Sequence, residues 1–150
     1  MSSLDIVVKI KRINEDVEEP FYATLGSAGV DLLAHIERPI IINPGCRTMI
    51  PTGIAVQLPS RHLVTLIFSR SGLSSKYGIS MANGVGVIDS DYTGEIVCPI
   101  QNNSNEEYII NPGDRVGQMI FMPIAIASLQ FVDELDKTER GNAGFGSTGN

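Results

Sequence analysis

Apolar residues recur at every second position along much of this chain. Ile6, Val8 and Ile10 alternate with Val7, Lys9 and Lys11. Ile54, Val56 and Leu58 alternate with Ala55 and Gln57, and Leu129 and Phe131 with Gln130 and Val132. A period of two sets one face of a β-strand against a core. The run from His62 to Phe68 is more continuously apolar and reads as a central strand. Turn signals separate these runs at the spacing of all-β chains. One turn is used twice, as IINPGCR over 41–47 and as IINPGDR over 109–115. Proline presets φ there and glycine accepts a positive φ. Nothing around the two copies repeats, so the echo reads as one turn solved twice rather than as a duplication. Only SGLSSKYG, 71–78, is suited to a helical turn or two. Pro99 inside EIVCPIQ predicts an edge position or a bulge. The pattern describes an all-β chain, a jelly-roll-like barrel or sandwich with at most one short helix. The β pattern stops near Asp136. The expected division is a β domain over 1–137 and a flexible C-terminal arm over 138–150.

Composition narrows the partners. A chain of 150 residues makes one domain with a substantial core. Its formal charge of −6 lacks the positive footprint that a nucleic-acid polymer requires. A small anionic ligand needs only a few placed arginines. Cys46 and Cys98 are far apart, and neither His35 nor His62 has metal-ligand spacing. Two buried free thiols in a reducing compartment are expected. The N-terminal MSSLDIVVKIKRINED has neither a secretory pattern nor a membrane span, so a cytoplasmic protein is expected, or a nuclear one in a eukaryote.

Five stretches carry polar residues without an evident packing reason. In SAGVDLLA, Asp31 interrupts an apolar run, and a buried carboxylate needs a partner. The alternative is a surface aspartate at a strand end. In SRSGLSSKYG, Arg70, Ser71 and Gly72 lead into the short helix, where free N–H groups suit phosphate. The plainer alternative is an N-cap serine. In NGVGVIDSDYTGE, Asp89 and Asp91 lie two apart and share a face if the segment is a strand. One of them suits a general base on water. The alternative is a hairpin whose turn is DSDYTG. In GDRVGQMIFMP, Arg115 and Gln118 can both donate to phosphate oxygens, or simply decorate an edge strand. The tail RGNAGFGSTGN matches G-x-G-x-x-G, but no strand precedes that match and no helix can follow it. A P-loop reading fails as well, because Ser147 stands where its lysine should be.

Taken in order, AGVDLLA, RSGL, GVIDSDYTGE, GDRVGQMI and RGNAGFGSTG resemble the five motifs of the trimeric deoxyuridine triphosphatase (dUTPase) family. The resemblance spans nearly the whole chain. It implies a β jelly roll assembled as a homotrimer, with active sites shared between subunits. It implies Mg²⁺-dependent hydrolysis of dUTP to dUMP and pyrophosphate, which keeps uracil out of DNA and supplies dUMP for thymidylate synthesis. Carried over, Asp89 activates the water that attacks the α-phosphorus. Asn83 and the backbone of Gly86, Val87 and Ile88 read the uracil edge. Tyr92 lies under the deoxyribose and excludes a 2′-hydroxyl. Arg70, Ser71, Gly72 and Gln118 hold phosphates, and Asp31 holds the metal through bound water. Arg140 grips the γ-phosphate, Phe145 stacks on uracil, and Gly146, Ser147 and Thr148 wrap the phosphates. Thr93, Ser74 and Ala143 depart from the commoner arginine, alanine and glycine of relatives. The role of Arg115 stays open between structural and phosphate-facing. The rival readings are a dCTP deaminase-like enzyme of the same fold and a non-catalytic nucleotide-sensing trimer. The deaminase uses a catalytic glutamate and lacks this tail, while the sensor has no need of Asp89.

Overall fold

Alternation becomes pairing at the centre of the chain, where the strands over 47–57 and 95–102 run antiparallel. Their 4-residue companion β1 (Lys9–Arg12) is followed by β2 (Val30–Leu33), β3 (Ile40–Ile42), β4 (Arg47–Gln57) and β5 (Leu63–Phe68). The helix α1 (Ser71–Tyr77) comes next, then β6 (Ile79–Met81), β7 (Gly86–Ile88), β8 (Glu95–Asn102), β9 (Tyr108–Ile110) and β10 (Arg115–Pro123). These elements come from a computed structural model that describes residues 5–142. The expectations for Ala143, Phe145, Gly146, Ser147 and Thr148 lie outside the described residues.

One sheet has the order β1-β4-β8-β6 and a second the order β2-β10-β5-β7, while β3 and β9 form a separate pair. In β8 every second residue is buried, so Ile96, Cys98, Ile100 and Asn102 point inward. They meet Ile50, Ile54 and Val56 of β4, and Leu32, Ile67, Val116 and Met119 of the other sheet. This is the expected all-β, jelly-roll-like architecture, and β5 is an interior strand as expected. The repeated turn also forms twice. Cys46 N–H donates to Asn43 O and Asp114 N–H to Asn111 O, with Gly45 at φ 73° and Gly113 at φ 80°. The strands ahead of the two turns, β3 and β9, pair with each other.

Several expectations are corrected. β1 is exposed along its whole length, with Ile10 in it and Ile6 ahead of it both exposed; it is an edge strand whose one partner among the described residues is β4. Leu129 and Phe131 form no strand. They are exposed in a coil that follows the last strand at Pro123, because no neighbour within the described chain pairs with them. Pro99 sits in the interior strand β8. Its carbonyl accepts Ala82 N–H, so its missing N–H faces the side where β6 has just ended, and no bond to β4 is lost. Cys46 is free as expected but exposed, because it lies in the turn after Gly45; Cys98 is free and buried.

Candidate active site

β2 and β10 pair antiparallel, with Gln118 opposite Asp31 and Arg115 opposite Leu33. Arg115 and Gln118 are three apart, an odd spacing that would send them to opposite faces of a regular strand. The register shifts between Arg115 and Gly117, and this bulge brings both side chains to the face that carries Asp31. On the other side of β10, Gln118 also pairs with Phe68, so the chain leaving β5 delivers Arg70 to the same place.

The outcome is a charged cluster around one carboxylate. The Asp31 side chain is only 10% exposed. Its Oδ1 forms an ion pair with Arg70 Nε at 3.0 Å, and its Oδ2 accepts from Arg115 Nη1 at 3.3 Å. The surface alternative for Asp31 is therefore excluded, and the burial cost is met by two guanidinium groups. Arg70 itself occupies the N-cap position of α1, with no side-chain cap bond, so Ser71 is the first helical residue and not an N-cap. Gln118 Nε2 donates to Ser69 O at 3.0 Å. Gly29 faces it: a Cβ there would sit 2.7 Å from Gln118 Oε1. Asp31, Arg70, Ser71, Gly72 and Gln118 share a cavity of about 250 Å³ with the Ser27–Gly29 loop and Ala23. Three of the five sequence stretches thus converge within one chain.

The stretch with the proposed base stays apart. Asn83 lies exposed in the turn before β7, and Gly86 pairs with Ile67 of β5. Val87 is exposed and Ile88 half-buried opposite Thr65. β7 ends there, so Asp89 and Asp91 sit in a connection and not on one strand face. That connection is no hairpin either, since β7 belongs to one sheet and β8 to the other. Asp89 is exposed, and its carbonyl accepts Tyr92 N–H. The half-exposed Tyr92 is anchored by its hydroxyl, which donates to Glu95 O at 3.0 Å. Register places Asp89 just beyond the Thr65–Ile88 pair, while Arg70 follows the opposite end of β5. At about 3.3 Å per residue this is a separation of roughly 15–20 Å. Arg140 is exposed beyond the last strand.

A larger cavity of about 530 Å³ lies elsewhere, against β4 and the 13–18 segment. None of the expected site residues lines it, and Asp16, Glu18, Glu37 and Glu95 give it the wrong sign for a phosphate ligand. Among the described residues no group of three or more His, Cys, Asp or Glu is arranged to hold a metal. Sequence reasoning missed the supporting roles of Gly29 and Gly94. Both lie within or beside the quoted motifs, but only the fold shows what their absent side chains leave room for.

Two facing antiparallel sheets with a cavity walled by Asp31, Arg70 and Gln118 define a small all-β, jelly-roll-like protein. The comparisons make this specific. The dUTPase family profile matches residues 15–149, and the chain belongs to that family. It is 46% identical over 149 residues to the deoxyuridine 5'-triphosphate nucleotidohydrolase of Desulfitobacterium hafniense strain DSM 10664 / DCB-2, covering 99% of each chain. It is 41% identical over 148 residues to the enzyme of the same name from Aeromonas hydrophila, covering 99% of this chain and 97% of the relative. Among solved structures, it superposes on a mutant dUTPase of Staphylococcus bacteriophage 80alpha, solved with dUpNHpp, with a TM-score of 0.86 at 26% identity. That match covers 96% of this chain and 99% of the phage chain. A mutant dUTPase of phage phi11 of S. aureus, whose structure concerns a structural Mg(II) ion, matches with a TM-score of 0.78 at 25% identity, covering 87% and 99%.

Proposed function

We propose that this protein is a dUTP diphosphatase, which hydrolyses dUTP to dUMP and pyrophosphate and so limits uracil in DNA and supplies dUMP for thymidylate synthesis. The observation that carries this reading is the cavity at Asp31, Arg70 and Gln118. It sets the Arg70 guanidinium against Asp31, with Arg115 on the carboxylate's other oxygen, on a chain whose net charge is −6. Family membership and the names of the relatives supply the substrate.

In this reading the triphosphate lies in the cavity. Arg70, Ser71, Gly72 and Gln118 hold its oxygens, a task suited to a guanidinium, a hydroxyl, first-turn N–H groups and an amide. The uracil edge is read by Asn83 and the backbone of Gly86, Val87 and Ile88. Tyr92 sits under the deoxyribose and excludes a 2′-hydroxyl. Asp89 takes a proton from the water that attacks the α-phosphorus, and pyrophosphate leaves from the opposite side. Arg140, Phe145, Gly146, Ser147 and Thr148, in an arm over 138–150, complete the site around the γ-phosphate and the base and exclude bulk water.

A metal fits this site only as part of the substrate complex. Mg²⁺ takes oxygen ligands and is commonly held by one or two carboxylates together with phosphates and waters. Asp31 is the acidic group of the cavity, and each of its oxygens is already paired with an arginine. It would therefore reach the ion through water. Mg²⁺ would neutralise part of the charge of the triphosphate.

The homotrimer with shared sites is part of the same proposal. Asp89 and the phosphate-holding cluster of one chain are too far apart to serve one substrate. The exposed apolar run of Ile124, Ile126, Leu129, Phe131 and Leu135 after the last strand supports burial against another copy. No helix among the described residues is long and apolar enough to cross a membrane, and a cytoplasmic site of action is proposed.

The test is a panel of the four common dNTPs, dUTP and UTP with pyrophosphate release as readout, joined by ammonia release from dCTP. Hydrolysis selective for dUTP is expected, and Asp89→Asn should retain nucleotide binding while losing about 10²–10⁴-fold in turnover. Undiminished turnover in that variant sinks the mechanism. Ammonia from dCTP would favour the deaminase, and binding without hydrolysis the sensor.

A further inference from the structure

The cavity walls include Asp31 and Arg70 but not Arg115. Arg115 lies behind the carboxylate, beside a different and much smaller void near Leu73 and Tyr108. The β10 bulge nevertheless aims its guanidinium at Asp31 Oδ2. Arg70 makes its 3.0 Å contact with Asp31 Oδ1 through Nε, the nitrogen next to its η-nitrogen fork. That fork is the part of a guanidinium that pairs bidentately with phosphate. An arginine held at Nε keeps its plane fixed and its fork available.

From this we infer that Arg115 is a positioning residue for the phosphate site. It occupies Oδ2 of Asp31, which leaves Oδ1 alone for Arg70 and keeps the Arg70 fork turned toward the cavity. Without Arg115, Asp31 offers both oxygens to Arg70, and the side-on pairing that arginine and carboxylate favour draws the fork out of the cavity. Arg115 touches no phosphate and acts through Asp31 on Arg70. The inference rests on the dUTP-hydrolase reading for the identity of the ligand, but its geometry requires only that a triphosphate bind in this cavity.

A double-mutant cycle separates positioning from contact. KM for dUTP with Mg²⁺, and the dissociation constant of the α,β-imido analogue of dUTP, are measured for wild type, Arg115→Met, Arg70→Met and the double variant. Arg115→Met should weaken both quantities by about tenfold or more, as expected when a positioned group is displaced by roughly 1 Å. In the Arg70→Met background the same change should matter by less than about twofold. Equal losses in the two backgrounds would show that Arg115 meets the ligand independently and overturn the inference, as would an Arg115→Met protein with unaltered KM and binding. If Arg115→Met fails to fold, Arg115→Lys takes its place. It keeps a charge for Oδ2, and should show a smaller loss that likewise disappears in the Arg70→Met background. A wild type that binds the analogue and turns over no dUTP defeats the activity reading while the binding cycle still decides the inference. A wild type that binds no triphosphate defeats both.

Discussion

Gly94 offers a direct way to move Tyr92 without touching it. An ideal Cβ on Gly94 would fall 2.5 Å from Tyr92 Oη, 2.7 Å from Cζ and 3.1 Å from Cε2. Ordinary contact for such atoms begins near 3.4 Å. In Gly94→Ala the ring must therefore retreat by a little under about 1 Å, and its hydroxyl loses the bond to Glu95 O. Tyr92 is 46% exposed, so the ring has somewhere to go and the fold should survive. Rotamer strain of about 0.5–1.5 kcal/mol and a partly solvated hydrogen bond of about 0.5–1 kcal/mol set the stability loss at about 1–2.5 kcal/mol. That corresponds to a drop in Tm of roughly 2–10 °C for a chain of this size.

The functional loss should be larger. If Tyr92 forms the floor under the deoxyribose, a retreat of that size is comparable to the room a 2′-hydroxyl needs. The ratio of kcat/KM for dUTP over UTP should then fall by about 10–100-fold, partly through slower dUTP turnover and partly through admission of UTP. Pyrophosphate release with both substrates measures it. Gly26→Ala is the control, because a Cβ there meets nothing within 4 Å and should leave both the ratio and Tm unchanged. A Gly94→Ala protein with wild-type discrimination would refute the assignment of Tyr92 as the sugar wall.

Two further predictions test the frame that holds the site. Asn102 is fully buried; its Nδ2 donates to Ile42 O and Glu106 O, and its Oδ1 accepts from Ser104 N and Oγ. Asn102→Leu keeps the volume but strands those partners, so denaturant unfolding should show a loss of about 3–5 kcal/mol, and a loss under about 1 kcal/mol would contradict the bond network. The thiols should separate cleanly in the native protein: burial pushes Cys98 up to about 12, whereas Cys46 is exposed. At pH 8 only about one Cys98 in 10⁴ carries a thiolate, so a maleimide should modify Cys46 and spare Cys98 until denaturant is added, as read by peptide mass.

Much of the scaffold was legible because local pattern and tertiary role agree. The alternation of Ile54 and Val56 in β4, the apolar run of β5, the two Asn-Pro-Gly turns and the short helix all formed where expected. The pattern misled where nothing in the described chain covers the apolar positions. Ile10 and Leu129 alternate like core residues, yet this chain leaves them exposed. Pro99 misled for the opposite reason: the neighbour that would have used its N–H ends one residue too soon, which no local signal records. At the site, the five motifs named candidate residues but not their geometry. Arg115 and Gln118 share a face only because β10 is bulged, and a bulge after Arg115 has no signature in GDRVGQMI. Gly29 and Gly94 matter through side chains they lack, so their meaning depends on Gln118 and Tyr92 being where they are.

The split between the two ends of β5 has a consequence that mixing experiments can read. If one site takes its phosphate cluster from one chain and its base from another, two inactive variants can repair each other. Asp89→Asn chains retain Arg70, and Arg70→Met chains retain Asp89. In randomly mixed trimers with equal input, a given site draws its base from an Arg70→Met chain about half the time. It draws its cluster from an Asp89→Asn chain about half the time as well. About one quarter of sites should therefore be intact, whatever the oligomer's size, provided the two contributions come from different chains. If both contributions came from one chain, every site would carry exactly one lesion and mixing would restore nothing. The assay is pyrophosphate release after the two variants are unfolded together and refolded, compared with each refolded alone. Recovery to roughly a quarter of refolded wild type supports the shared site. Recovery no greater than the average of the two variants would place base and phosphate cluster in one chain, against the separation that the register of β5 and β7 imposes.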